Sequence, residues 1–156
     1  MDSKNDNYVK VLFQFYSNVL DEETNETMWA ELVDTEKGLY KLDSIPFYAE
    51  EIASGDIFLA EFDTTQKMLK FKEIVEYSGN STVQVAVFDK NIPTNEIRDI
   101  FIALGCITEK MREGYFVLDV PAYLNYKPIR EKLLALQEAG LLDFAEPCLS
   151  DEHDYN

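Results

Sequence analysis

The chain has 156 residues, enough for one good core or two small ones, and its 46% hydrophobic and 13% aromatic content excludes a disordered polymer. Its 30 acidic and 14 basic residues give a formal net charge of −16. Such a surface repels nucleic-acid phosphates and anionic lipid, and it favours encounter with basic proteins. No apolar run approaches the ~20 residues of a membrane-spanning helix, so neither nucleic acid nor membrane is expected as a partner.

Residues 1–7 are polar, without the apolar stretch of a signal peptide, and read as a disordered tail. Residues 8–19 alternate as a strand, with Val9, Val11, Phe13 and Phe15 on one face and Lys10, Leu12, Gln14 and Tyr16 on the other. Asp21-Glu22-Glu23-Thr24-Asn25-Glu26 reads as an acidic loop, followed by a strand over residues 27–34 that contains Trp29. Glu36-Lys37-Gly38 is a turn, and residues 39–42 are a short return strand. After a second turn at Asp43-Ser44-Ile45-Pro46-Phe47, residues 48–54 are expected to form one helical or 3₁₀ turn. Gly55-Asp56 opens a strand at 57–62, and a long strand follows at 68–77. In that strand the apolar parity slips between Phe71 and Ile74, which predicts a bulge. Five short strands with tight turns predict a small closed barrel, read as SH3-like, over residues 8–78.

Ser78-Gly79-Asn80-Ser81 is the joint, short enough that the two units are expected to pack against each other. Residues 82–149 then read strand, helix, strand, strand, helix, strand. Val83, Val85 and Val87 mark the first strand, which Pro93 follows after a break. Thr94 is the expected N-cap of a helix whose buried stripe is Ile97, Ile100, Phe101 and Leu104, with Gly105 at its end. Residues 106–111 and 115–120 form a hairpin about Arg112-Glu113-Gly114. Asn125 caps a second helix with the stripe Tyr126, Ile129, Leu133 and Leu136, and residues 141–145 are the last strand. Handedness rules reduce this βαββαβ order to an antiparallel sheet, spatial order 4-1-3-2, with both helices on one face: a ferredoxin-like plait at 79–149. The fold class is α+β, and residues 150–156 read as a second disordered tail.

The run from Phe71-Lys72 through Ser78-Gly79-Asn80-Ser81-Thr82-Val83, then Leu118-Asp119-Val120-Pro121, then Cys148-Leu149, together with Gly55-Asp56, resembles a bacterial family known only as domain-of-unknown-function family 4265. The resemblance spans residues 8–149 and implies architecture and bacterial origin rather than a mechanism. Ala145-Glu146-Pro147 departs from the acidic or aromatic run expected ahead of Cys148.

No constellation of catalytic chemistry emerges. His153, the single histidine, falls in the expected tail, and Cys106 and Cys148 lack metal-ligand spacing. They read as reduced thiols of a cytoplasmic protein, so no metal, cofactor or enzyme activity is expected. The expected function is that of an acidic interaction protein, and its concrete form is an immunity protein that neutralises a basic toxin. The candidate partner-binding residues are Asp21, Glu22, Glu23, Glu26, Glu50 and Glu51, whose carboxylates would stand in for phosphates. The alternative is a small-molecule sensor with its ligand at a plait dimer seam or an interdomain cleft near Ser78, Asn80 and Ser81. Oligomeric state is not encoded in these patterns.

Overall fold

A computed structural model describes residues 7–153 and shows a mixed α+β fold with two helices, a closed barrel of five strands and a sheet of four. The chain divides into two compact units, one ending at Ser78 and the other starting at Gly79.

The barrel runs β1 (Tyr8–Ser17), β2 (Glu22–Asp34), β3 (Leu39–Leu42), β4 (Ile57–Asp63) and β5 (Met68–Glu76), each strand pairing with the next in antiparallel fashion. An up-and-down ring with an odd number of strands must close on one parallel pair. That seam joins β1 to β5 through Val11↔Leu69 and Leu12↔Lys70. The inward parity of β1 is the one the alternation predicts: Val11 and Phe13 are buried, with Val9 and Phe15 packed against the same core. Phe13, Phe58 and Phe71 meet with ring centroids 5.0–5.6 Å apart, and Tyr40 lies 6.1 Å from Phe58. The slip in β5 is real. Ala60 pairs with Phe71 but Leu59 with Glu73, and Phe58 pairs with Ile74 but Ile57 with Glu76. Two bulges, at Lys72 and Val75, therefore let Phe71 and Ile74 both reach the core.

Two expectations in this unit are corrected. The acidic stretch is not a loop: Glu22 to Glu26 belong to β2 and pair with Ser17 to Phe13, which leaves only residues 18–21 as the turn. Residues 48–54 form bends without a helical turn. Their backbone is tied down by side chains instead, for Asp56 accepts the Ala53 N–H at 2.9 Å and the Ser78 N–H at 2.8 Å.

The second unit runs β6 (Ser81–Val87), α1 (Thr94–Ala103), β7 (Ile107–Arg112), β8 (Tyr115–Val120), α2 (Tyr126–Glu138) and β9 (Leu142–Cys148). Its sheet order is β7-β8-β6-β9, antiparallel throughout, which is the predicted order read from the other edge. Val83 and Val85 of β6 and Phe116, Leu118 and Val120 of β8 share one core with Ile97 and Phe101 of α1 and Ile129 and Leu133 of α2. Alternate residues of two central strands thus meet both helices, as the period-2 and period-3.6 patterns require.

Several boundaries differ from the sequence reading. Thr94 is the first helical residue rather than the cap, because Pro93 occupies the N-cap position and has no side chain to cap with. The α1 terminus is served from a distance: Glu113 of the β7–β8 turn accepts the Thr94 N–H at 2.8 Å, and the Thr94 hydroxyl accepts the Gly114 N–H at 2.7 Å. Leu104 falls past the last turn of α1 and is exposed. Asn125 does cap α2, its Oδ1 accepting the Lys127 N–H at 3.1 Å. The strand expected at 141–145 continues to Cys148, because Glu146 and Pro147 occupy a bulge between Gln84↔Ala145 and Thr82↔Cys148. There the missing proline N–H costs no ladder bond.

The expected terminal tails fare differently. Asn7 accepts the Leu32 N–H at 2.7 Å, and residues 1–6 lie outside the described residues. Asp151–His153 form a 3₁₀ turn with His153 fully buried, which corrects the expectation of a tail from Ser150 to at least His153; residues 154–156 lie outside the described residues.

Candidate partner-binding site

The β1–β2 hairpin outruns its neighbours. β5 pairs with β1 at Val11 and Leu12, and β3 pairs with β2 only from Ala30 onward. Between these limits the two strands pair with each other, with Tyr16↔Glu23 and Ser17↔Glu22 at the far end. The turn is built by its own side chains. The Leu20 N–H donates to Ser17 Oγ at 3.1 Å, the Tyr16 hydroxyl donates to Asp21, and Asp21 adopts φ 56°. Asp21 and Glu23 push the Tyr16 phenol above its ordinary value, the hydrogen bond to Asp21 being the main cause.

Two of the six candidate carboxylates are internal ties. Glu26 lies on the inward parity of β2 with Met28 and Ala30. Its oxygens accept the N–H groups of Phe47, Tyr48 and Ala49 at 2.7, 3.1 and 2.9 Å. Glu50 accepts both the Asn18 N–H at 3.0 Å and the Asn18 amide at 2.7 Å. These bonds fasten residues 47–50 to the hairpin and carry Glu51, exposed at φ 65°, toward its end. The structure thus brings Glu50 to the tip that carries Asp21, Glu22 and Glu23, and Glu51 follows it in the chain. Asp21, Glu22, Glu23 and Glu51 face solvent, Glu50 pins the tip, and Glu26 acts further down the arm. From Lys10 to Lys37 every charged residue between the two lysines is acidic. What the sequence reading missed at this tip is apolar: Tyr16, Val19 and Leu20 are 48%, 46% and 37% exposed.

Ser78, Asn80 and Ser81 are each engaged within their own unit. The Ser78 hydroxyl donates to the Ser54 carbonyl at 2.8 Å, and the Ser78 N–H goes to Asp56. Asn80 Oδ1 accepts the Ala122 N–H at 2.9 Å. Ser81 Oγ lies 2.5 Å from His153 Nδ1 and accepts the Ser150 N–H at 2.8 Å, while His153 Nε2 lies 2.9 Å from the Pro121 carbonyl. A carbonyl can only accept, so Nε2 carries the proton and Nδ1 accepts from the Ser81 hydroxyl. The imidazole also lies 5.8 Å from the Tyr126 ring; the Tyr126 hydroxyl donates to Glu146 at 2.5 Å, and Arg130 pairs with the same carboxylate at 3.2 Å.

A serine hydrogen-bonded to a histidine has the outline of a nucleophile and its base. Here both side chains are 0% exposed, and the serine oxygen is already held by a backbone N–H. The arrangement ties the chain end to the start of β6 and the end of β8. The stretches that carried the family resemblance converge at this spot: Ser81↔Val120, Thr82↔Asp119 and Thr82↔Cys148 are cross-strand pairs.

Neither cysteine forms a disulfide. Burial, and secondarily the Asp119 carboxylate, push the Cys106 thiol up to about 12, the opposite of what a nucleophilic or metal-binding thiolate requires. Among the described residues no group of three or more His, Cys, Asp or Glu side chains is placed to hold a metal ion, and no helix is long and apolar enough to cross a membrane.

Comparison with known proteins adds a family and a fold. The family described as Domain of unknown function (DUF4265) matches residues 26–144. A solved structure titled "Novel crystal structure of a hypothetical protein from Neisseria gonorrhoeae" is similar with a TM-score of 0.77 and 24% identity, over 90% of this chain and 94% of that one. No curated protein matches the chain.

Proposed function

We propose that this chain, which belongs to the DUF4265 family, is a non-enzymatic, cytoplasmic interaction protein that binds a basic protein partner, in its most concrete form a toxin that it neutralises. The observation that carries this reading is the β1–β2 tip, where Asp21, Glu22 and Glu23 stand exposed on an arm pinned by Glu26 and Glu50, with Glu51 exposed next to Glu50 in the chain. An arm whose backbone is already fastened loses little backbone entropy on binding. Its carboxylates present a phosphate-like array to a cationic cleft, with a −16 charge behind them to accelerate encounter. The reading also takes the five-stranded barrel as SH3-like and the second unit as a ferredoxin-like plait. Support comes from the irregular segment between β3 and β4, and from the β7-β8-β6-β9 order with both helices in one core.

The test is the rate at which the chain associates with a cognate basic toxin as NaCl is raised. Steered association falls by roughly ten- to a hundredfold between low and high salt. Replacing Asp21, Glu22, Glu23 and Glu51 by their amides should flatten that dependence. Slow association that ignores salt in the unaltered chain would refute the proposal.

A further inference from the structure

Charge alone does not account for the tip. Tyr16, Val19 and Leu20 form an exposed apolar group within a turn of a few residues, immediately beside Asp21, Glu22 and Glu23. Tyr16 is held there by its hydroxyl bond to Asp21, but no hydrogen bond of the turn engages the side chains of Val19 and Leu20. The turn is closed by the Ser17 hydroxyl and fastened by Glu50, and the hairpin's buried contacts are made by Phe13, Phe15 and Met28. Exposed aromatic and aliphatic side chains ringed by charge have the composition of an interface centre with a polar rim. The arm also extends past its neighbouring strands, so it offers a protruding rather than a flat surface.

We infer that Tyr16, Val19 and Leu20 are the anchors of this interface, and that its occupant is a basic protein surface in which arginine or lysine surrounds an apolar or aromatic recess. The inference rests on the proposed acidic-interaction role and specifies the partner's chemistry. Three features select that occupant. The carboxylates at the rim match cations. The phenol face of Tyr16 and the two aliphatic side chains match an apolar floor, and a Tyr face also accepts a guanidinium. A second copy of this chain is disfavoured, because its own tip would bring Asp21, Glu22 and Glu23 against their like.

The experiment compares two synthetic probes of equal charge on the full chain: oligoarginine, and a peptide alternating arginine with tryptophan. Binding is followed by calorimetry and by backbone amide shifts. The expected result is about tenfold tighter binding of the arginine–tryptophan peptide, with shifts concentrated at residues 16–23. Val19→Ser should abolish most of that preference while leaving oligoarginine binding within about twofold, and Tyr16→Ala should abolish it while also weakening oligoarginine, because it removes the guanidinium face and the bond to Asp21. Asp21→Asn with Glu22→Gln and Glu23→Gln should weaken both probes alike. Val19→Ser keeps the Tyr16–Asp21 bond, so it tests the anchors even where Tyr16→Ala perturbs the turn. Equal affinity for the two probes, or a preference that survives both anchor substitutions, overturns the apolar anchors while leaving the acidic role standing. Failure of both probes to bind at low salt overturns both readings, and shifts centred elsewhere on the chain overturn the tip.

Discussion

Replacing His153 with alanine removes, in one step, the acceptor for the Ser81 hydroxyl and the donor to the Pro121 carbonyl, both of them buried. Stranded buried polar groups cost about 1–3 kcal/mol each, so His153→Ala should lower unfolding free energy by roughly 2–4 kcal/mol in urea titrations. Ser81→Ala should cost less, and the double variant should fall short of the sum, as expected of partners in one network. Unchanged stability in His153→Ala would show that the tie is idle. Cys106 gives a prediction in pH. Its folded value of about 12 lies above the ordinary 9.0, so between those values the unfolded chain has released a proton that the folded chain retains. The thiol's contribution is therefore complete below pH 9 and is lost as pH rises toward 12, at no more than about 1.4 kcal/mol per pH unit. Cys106→Ala lacks that loss, so the stability difference between the two chains should shrink across the alkaline window. Cys106 was legible as a reduced buried thiol, whereas the role of His153 was not. Periodicity says nothing about an isolated histidine six residues beyond Pro147, and its partners Ser81 and Pro121 are distant along the chain. Glu26 was closer to legible. It shares parity with Met28 and Ala30, and an acid on an inward-facing parity is a sign that some backbone donors need it.

At the scale of the element, α1 depends on a turn nearly twenty residues away. Glu113 receives the Thr94 N–H, and this bond is the main reason its carboxyl is held below the ordinary value of 4.5, with the Thr94 hydroxyl and Lys110 adding to it. A carboxylate lowered by folding stabilises above its unfolded value, and that stability is lost as pH falls through the folded one. Glu113→Gln keeps a neutral acceptor but no titration. Its melting temperature should be lower than that of the unaltered chain at pH 7, and the gap should close on acidification to pH 3. A constant gap would mean that the charge is irrelevant to the cap. Local signals succeeded where they were sufficient: Asn125 caps α2 through the next turn, and the parity slip at Phe71 and Ile74 marks the bulged strand. They failed where an element is completed by something remote. Thr94 looks like a cap until the hairpin supplies a better one, and Pro147 looks like a stop until a bulge accommodates it.

At the scale of the whole molecule, the net charge of −16 is a destabilising term that salt can relieve. Raising NaCl from about 10 to about 200 mM shortens the screening length from ~30 Å to below ~8 Å. The exposed pairs Lys72–Glu61 and Lys110–Glu113 lose little by this, being worth little to begin with. The expected net result is a melting temperature higher by about 2–4 °C, corresponding to about 1 kcal/mol. A fall on adding salt would show that attractive pairs outweigh the self-repulsion. The strand order of the second unit was legible because handedness rules reduce its βαββαβ pattern to one arrangement, whereas for the barrel five strands and closure were legible but the parallel seam was not. The tip was only half legible, because its charge is visible in composition while its exposed apolar residues look like any other strand end.

The parallel seam of the barrel has a consequence in time. Pairing Val11 with Leu69 encloses the three intervening strands, so the ring closes on its longest-range contact and by its shortest register. Closure entropy must be met there before any seam contact repays it. The β1–β2 hairpin, whose pairing is wholly local, can therefore nucleate early, and its acidic end is available from the first moments of folding. On opening, the two-rung seam is expected to part before the ten paired positions of the arm, an order that amide exchange along β1 and β5 would check.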